Sequence, residues 1–249
     1  MNKTKTDRVP HIIFLYWVIK IASTTLGETG ADMLSMTFNL GYAQTILIYM
    51  SLFLVLLGVK LSLKGYHPVL YWLVFTASAL VGTGISDFID RTLGLGYTLG
   101  SLDLIVMLLI TLVVWYKKEG SINVEHITTP TAEIFYWTAF LISNTLGTAV
   151  GDFVADNMGL GFAYSAIAIS GLLILIGSLY YFTKISRVLL FWLAFVLTRP
   201  FGATFGDFLT KPVAKGGVNF GTVGSSMLFF TILCFAVAKE TRLERSRKE

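Results

Sequence analysis

Four aspartates, Asp32, Asp87, Asp152 and Asp207, each stand fifteen residues after a tryptophan, at Trp17, Trp72, Trp137 and Trp192. All four fall toward the ends of long apolar runs. An ionised carboxylate deep in such a run costs about 3 kcal/mol on membrane-insertion scales, so it must be protonated, paired or wet. Carboxylate oxygens suit hard cations such as magnesium, calcium or manganese, whereas zinc or copper would favour histidine or cysteine. Glu28 precedes Asp32 by four residues and Asp156 follows Asp152 by four, spacings that put like charges on one helix face. A divalent cation or a captured proton relieves both pairs. The expected cation-binding set is Glu28, Asp32, Asp87, Asp152 and Asp207, with a bound divalent cation as the one cofactor implied. The plainer reading keeps the four aspartates as solvent-facing carboxylates that end helices.

The segments YWVIKIASTTLGETGAD, YWLVFTASALVGTGISD, YWTAFLISNTLGTAVGD and FWLAFVLTRPFGATFGD align without a gap. Ten residues after each tryptophan stands a glycine, at Gly27, Gly82, Gly147 and Gly202. A further glycine marks a turn, at Gly41, Gly96, Gly161 and Gly221, the last displaced by an insertion in the fourth copy. Internal repetition at this spacing makes the chain four tandem units, at about 11–64, 66–118, 131–184 and 186–239, within a single membrane domain over 1–249. The signature glycines permit close helix packing, or a broken helix whose freed carbonyls line a site. The tryptophans read chiefly as interfacial anchors and packing residues.

Only 14% of the 249 residues are charged and mean hydropathy is +0.72, which nearly excludes a water-soluble enzyme. Apolar runs at about 11–33, 43–61, 68–89, 97–116, 133–154, 161–183, 187–209 and 218–238 are each long enough for a hydrocarbon core about 30 Å thick. The expected fold is an all-α membrane protein with eight transmembrane helices arranged as four pseudo-symmetric hairpins. Fourteen of the 19 basic residues fall on the side of the two termini, which predicts cytoplasmic termini in a bacterial inner membrane. Arg91, Lys211 and Lys215 are assigned to the opposite face. No small-residue cleavage pattern follows the first run, so it reads as retained, and the charged tail from Lys239 reads as an anchor at an anionic leaflet.

Arg199 falls seven residues after Trp192, inside a span and just before Pro200; its equivalents are Thr24, Ala79 and Asn144. It reads as a counter-ion to an acidic group or a ligand for an anionic substrate. Asp103 reads as a proton relay or as a partner of Arg199 or Arg91, and Lys20 as a snorkelling side chain. His11, His67 and His126 have no metal-ligand spacing, and Cys234 reads as a small packed side chain. Among catalytic motifs, HExxH, GxSxG and Walker patterns are absent, and the basic residues form no nucleic-acid patch.

This pattern resembles a bacterial membrane-protein family of four tandem two-helix repeats with a signature tryptophan, described as a repeat of unknown function. The resemblance spans about residues 10–238 and implies architecture, not activity. The residues themselves favour a transporter, a proton-coupled secondary carrier for a divalent, manganese-like cation. The expected partners are the bilayer and a small ion or solute. An anion or metabolite carrier centred on Arg199, and a non-transporting scaffold or sensor, are the competing readings.

Overall fold

The computed structural model describes residues 8–63, 65–124 and 127–246. His126 and the basic residues Lys3, Lys5, Lys64, Arg247 and Lys248 lie outside them. Eight long helices follow in order: α1 (Phe14–Asp32), α2 (Gly41–Ser62), α3 (Pro68–Asp87), α4 (Gly96–Glu119), α5 (Pro130–Asp152), α6 (Gly161–Phe182), α7 (Arg187–Thr210) and α8 (Thr222–Ser246). No strand occurs among the described residues. Local chemistry sets several starts. Pro68 and Pro130 occupy the first helical position, where the missing N–H costs nothing, and the hydroxyls of Thr129 and Ser186 accept from Ala132 N and Leu189 N.

Six helices, α2, α3, α4, α6, α7 and α8, are long and apolar enough to cross a membrane. The expected count of eight is not met by composition alone. Lys20, Glu28 and Asp32 load α1 with charge, and α5 carries Glu133, Asn144 and Asp152. Both are inner helices. The odd-numbered helices form a closed ring in which α1 packs on α3, α3 on α5, α5 on α7 and α7 on α1. The even-numbered helices surround it, and each packs on the odd helix of the following unit: α2 on α3, α4 on α5, α6 on α7 and, closing the circle, α8 on α1. Their outer faces are apolar and exposed, as at Leu47, Val55, Leu102, Ile110 and Ile174, which suits lipid as solvent.

The signature glycines are the ring's contact points. A Cβ placed on Gly27 would lie 2.6 Å from Ala79 Cβ, one on Gly82 2.9 Å from Asn144 Cβ, and one on Gly202 2.8 Å from Thr24 Cβ; on Gly147 it would overlap Arg199. Each glycine therefore receives the residue seven after the next unit's tryptophan, and the four contacts run once around the ring. The helices continue unbroken through these positions, so the close-packing reading holds and the broken-helix reading does not. After Asp32, Asp87 and Asp152 the first three odd helices widen into single π turns, Met33–Thr37, Phe88–Thr92 and Phe153–Asn157. The turns that follow use left-handed backbone at Gly41, Gly96, Gly161 and Gly221, each with φ between 70° and 81°, a conformation open to glycine at little steric cost.

Trp72 and Trp137 are buried against the neighbouring odd helices, touching Tyr16 and Tyr71, in keeping with a packing role. Two expectations are corrected. Lys20 is fully buried and does not snorkel: its Nζ lies 3.5 Å from the Phe195 ring centroid and donates to Phe195 O at 3.1 Å. Cys234 is exposed on α8, on a face that no other helix covers.

Candidate cation site

Positions four residues apart meet on the ring's axis, layer upon layer. Three residues after the tryptophans are Lys20, Phe75, Phe140 and Phe195, whose three rings touch, with centroids 4.1 to 6.3 Å apart. One layer nearer the termini, Tyr16, Tyr71, Tyr136 and Phe191 close the axis, and the hydroxyls of Tyr71 and Tyr136 are hydrogen-bonded. This half of the axis is an aromatic plug.

The other half is polar. Arg199 is fully buried, and its guanidinium donates to Thr24 O at 3.0 Å, to Ala79 O at 3.3 Å and to Thr83 Oγ1. It also lies 3.4 Å from Glu28 Oε2. Glu28 sits eleven residues after Trp17, and its equivalents are Thr83, Thr148 and Ala203. Thr83 and Thr148 both donate to its Oε2, at 3.2 and 3.3 Å, so one carboxylate is cradled by the same position of two other units. Asn144 is buried beside this layer and donates to Ser78 Oγ at 2.9 Å.

Beyond Glu28 come the four signature aspartates, each 1–2% exposed. They are not solvent-facing helix ends. Two cations clamp them in pairs. Arg91 reaches Asp87 at 3.2 Å and Asp152 at 3.3 Å; Lys211 reaches Asp207 at 3.1 Å and Asp32 at 2.9 Å. Arg91 and Lys211 share one register, nineteen residues after the tryptophan, where the first and third units carry Met36 and Asp156. Backbone four-fold symmetry thus carries two-fold charge symmetry. Burial alone would lower the Lys211 ammonium, but the carboxylates of Asp207 and Asp32 outweigh it and hold the group above its ordinary value.

The two clamps differ in their acidic content. On the Lys211 side, Glu28, Asp32 and Asp207 each offer an oxygen within 4.8 Å of the others. That span is about twice a calcium–oxygen distance near 2.4 Å. Beside Arg91 the corresponding positions are threonines. The remaining candidates lie elsewhere: Asp156 is exposed on its π turn, and Asp103 is exposed on α4 without pairing to Arg199 or Arg91.

The clamps were the part missed in the sequence, where Arg91 and Lys211 counted as charges of the opposite face and Arg91 otherwise only as a candidate partner of Asp103. Their signal was present, since each stands four residues after a signature aspartate. Two further buried pairings were also unforeseen: Glu133 with Arg8 and Lys60, and Glu240 with Trp72 Nε1 and Tyr66. Both brace the termini side of the bundle.

The family model described as Repeat of Unknown Function (DUF347) matches four times, over residues 15–66, 70–121, 135–186 and 190–246. No curated protein and no solved structure matches the chain. With nearly its whole length covered by the four matches, the chain belongs to the DUF347 repeat family.

Proposed function

We propose that this protein is a membrane carrier for a divalent cation, coupled to protons, with all eight helices crossing the bilayer and both termini cytoplasmic. The observation that carries the reading is the convergence of Glu28, Asp32 and Asp207, three buried carboxylates on the axis with oxygens within 4.8 Å of one another. A hard cation needs anionic oxygen in that arrangement, and few other groups gain from it. The five acidic groups of the polar half outnumber its three cations, Arg91, Arg199 and Lys211, so the formal balance favours a positive substrate.

Lys211 acts as a tethered stand-in. Its ammonium neutralises Asp32 and Asp207 in the resting protein, and a divalent ion replaces it by swinging the side chain toward the far end, where it is 17% exposed. Protons compete at the same carboxylates, which supplies the coupling. The aromatic plug is the barrier that alternates with this entrance. An Arg199-centred anion site is disfavoured, because that guanidinium is already engaged by Glu28, Thr83 and two backbone carbonyls. The test is manganese uptake into vesicles containing the purified protein. Uptake driven by an opposing proton gradient, and lost in Glu28→Gln and Asp207→Asn variants of normal thermal stability, supports the carrier; full uptake in both variants refutes it.

A further inference from the structure

The outer ring has one seat that no described residue fills. Near the termini side, equivalent positions of the even helices are Lys60, Trp115, Tyr180 and, allowing for the longer turn of the fourth unit, Glu240. Three of them tuck against an odd helix further round the ring. Lys60 Nζ lies 2.6 Å from Glu133 on α5, the Trp115 ring lies 6.2 Å from that of Trp192 on α7, and Glu240 accepts from Trp72 on α3. All three are buried. By the same rotation Tyr180 should seat against α1, yet it is 41% exposed. A cavity of about 730 Å³ occupies the place instead, lined by Trp17 and Ile21 of α1, Leu173 and Gly177 of α6, and Phe191 and Ala194 of α7.

A void of that size forfeits the close packing that stabilises the other three seats. Its walls are largely apolar, and among the described residues its rim carries one charge. Arg187, the first residue of α7, stacks on Tyr180 at 3.9 Å, and no carboxylate among the described residues lies within ion-pair distance of it. Phe14 and Tyr181 at the rim are about four-fifths exposed, as residues facing acyl chains would be. An apolar crevice with a cation at headgroup level is complementary to one class of molecule in a bilayer. We infer that this crevice binds one anionic phospholipid from the leaflet on the side of the termini, an acyl chain between α1, α6 and α7 and the phosphate on Arg187. The lipid takes the role that a protein side chain plays in the other three quarters of the ring.

Native mass spectrometry of the purified protein, with phosphatidylglycerol and phosphatidylethanolamine of matched chains, tests this. One retained phosphatidylglycerol is expected, at several-fold higher occupancy than phosphatidylethanolamine. A side chain on Gly177 meets nothing within 4 Å at its Cβ and would project toward the crevice, so Gly177→Leu should cut retention by about tenfold; Gly171→Leu, on the same helix in equally open space, should not. Arg187→Gln should keep a lipid but equalise the two headgroups. Equal retention in Gly177→Leu and Gly171→Leu overturns the inference, as does a wild-type protein that retains neither lipid, or a dimer that Gly177→Leu dissolves. If Gly177→Leu does not fold, Arg187→Gln decides alone, and an unchanged headgroup preference rejects the site.

Discussion

The clamps at Arg91 and Lys211 stand in one register, hold the same two kinds of aspartate and lie on opposite sides of one axis, yet they differ in what surrounds them. Around Arg91 the layer beneath is Thr83 and Thr148, and a forked guanidinium meets Asp87 and Asp152 through separate nitrogens. Around Lys211 the layer beneath supplies Glu28, and the cation is a single ammonium shared between Asp32 and Asp207. A guanidinium is planar, permanently charged and suited to holding two carboxylates at fixed separation; an ammonium is a point charge on a flexible stem. The contrast teaches that repeated backbone does not mean repeated side-chain chemistry: one clamp is a planar fork and the other a point charge on a flexible stem.

The largest effect should come from removing the cation that lies 3.4 Å from buried Glu28. Arg199→Ala strips a fully buried carboxylate of its guanidinium and should lower stability by about 3–5 kcal/mol, the usual loss when one partner of a buried pair is deleted. Adding Glu28→Gln should recover much of it. Thermal unfolding in detergent checks both, and a double variant no more stable than the single would show that Glu28 is not the group at stake.

Exchanging the clamps comes next. Arg91→Lys should cost about 1–3 kcal/mol, because one ammonium cannot reproduce two nitrogens on two carboxylates, whereas Lys211→Arg should be tolerated for folding and should slow cation entry. Equal destabilisation by the two swaps would erase the distinction between them. A smaller change is expected for Lys211→Gln: with the tethered competitor gone, manganese should bind about tenfold more tightly, or roughly 1.4 kcal/mol, by isothermal titration calorimetry. Weaker binding would mean that Lys211 organises the carboxylates without competing for them.

The smallest effect is one of pH. Lys211 is held above its ordinary value, so its contribution is complete below that ordinary value and is lost only as pH rises through the higher, folded one. The stability difference between wild type and Lys211→Gln should therefore be the same at pH 7 and pH 9. A difference that shrinks by pH 9 would place the ammonium outside the clamp.

Much of the ring was legible because its spacing is regular. Trp, Gly and Asp at fixed intervals set the register, and the observed helices begin and end within about four residues of the apolar runs, except that α8 runs on to Ser246, eight residues past the run at 218–238. What the pattern could not convey was partner choice. Nothing in the one-dimensional repeat says that Gly147 receives Arg199, that α2 leaves its own hairpin partner for α3, or that α8 closes the circle on α1. Lys20 misled for a related reason: its interfacial reading assumed lipid around it, and the fold surrounds it with Phe75 and Phe195 instead. The charge of Arg91 and Lys211 was visible, but counting them for topology hid that each follows a signature aspartate by four residues.

The most direct test is a paired measurement of manganese binding by isothermal titration calorimetry on Asp207→Asn and Asp152→Asn, each verified for wild-type thermal stability. Asp207 contributes to the triple-carboxylate cluster and Asp152 only to the Arg91 clamp. Asp207→Asn is expected to lose binding by at least about a hundredfold while Asp152→Asn loses less than about tenfold, since a hard cation depends on each anionic ligand it touches. Equal losses in both variants, or tight binding retained in Asp207→Asn, would contradict it.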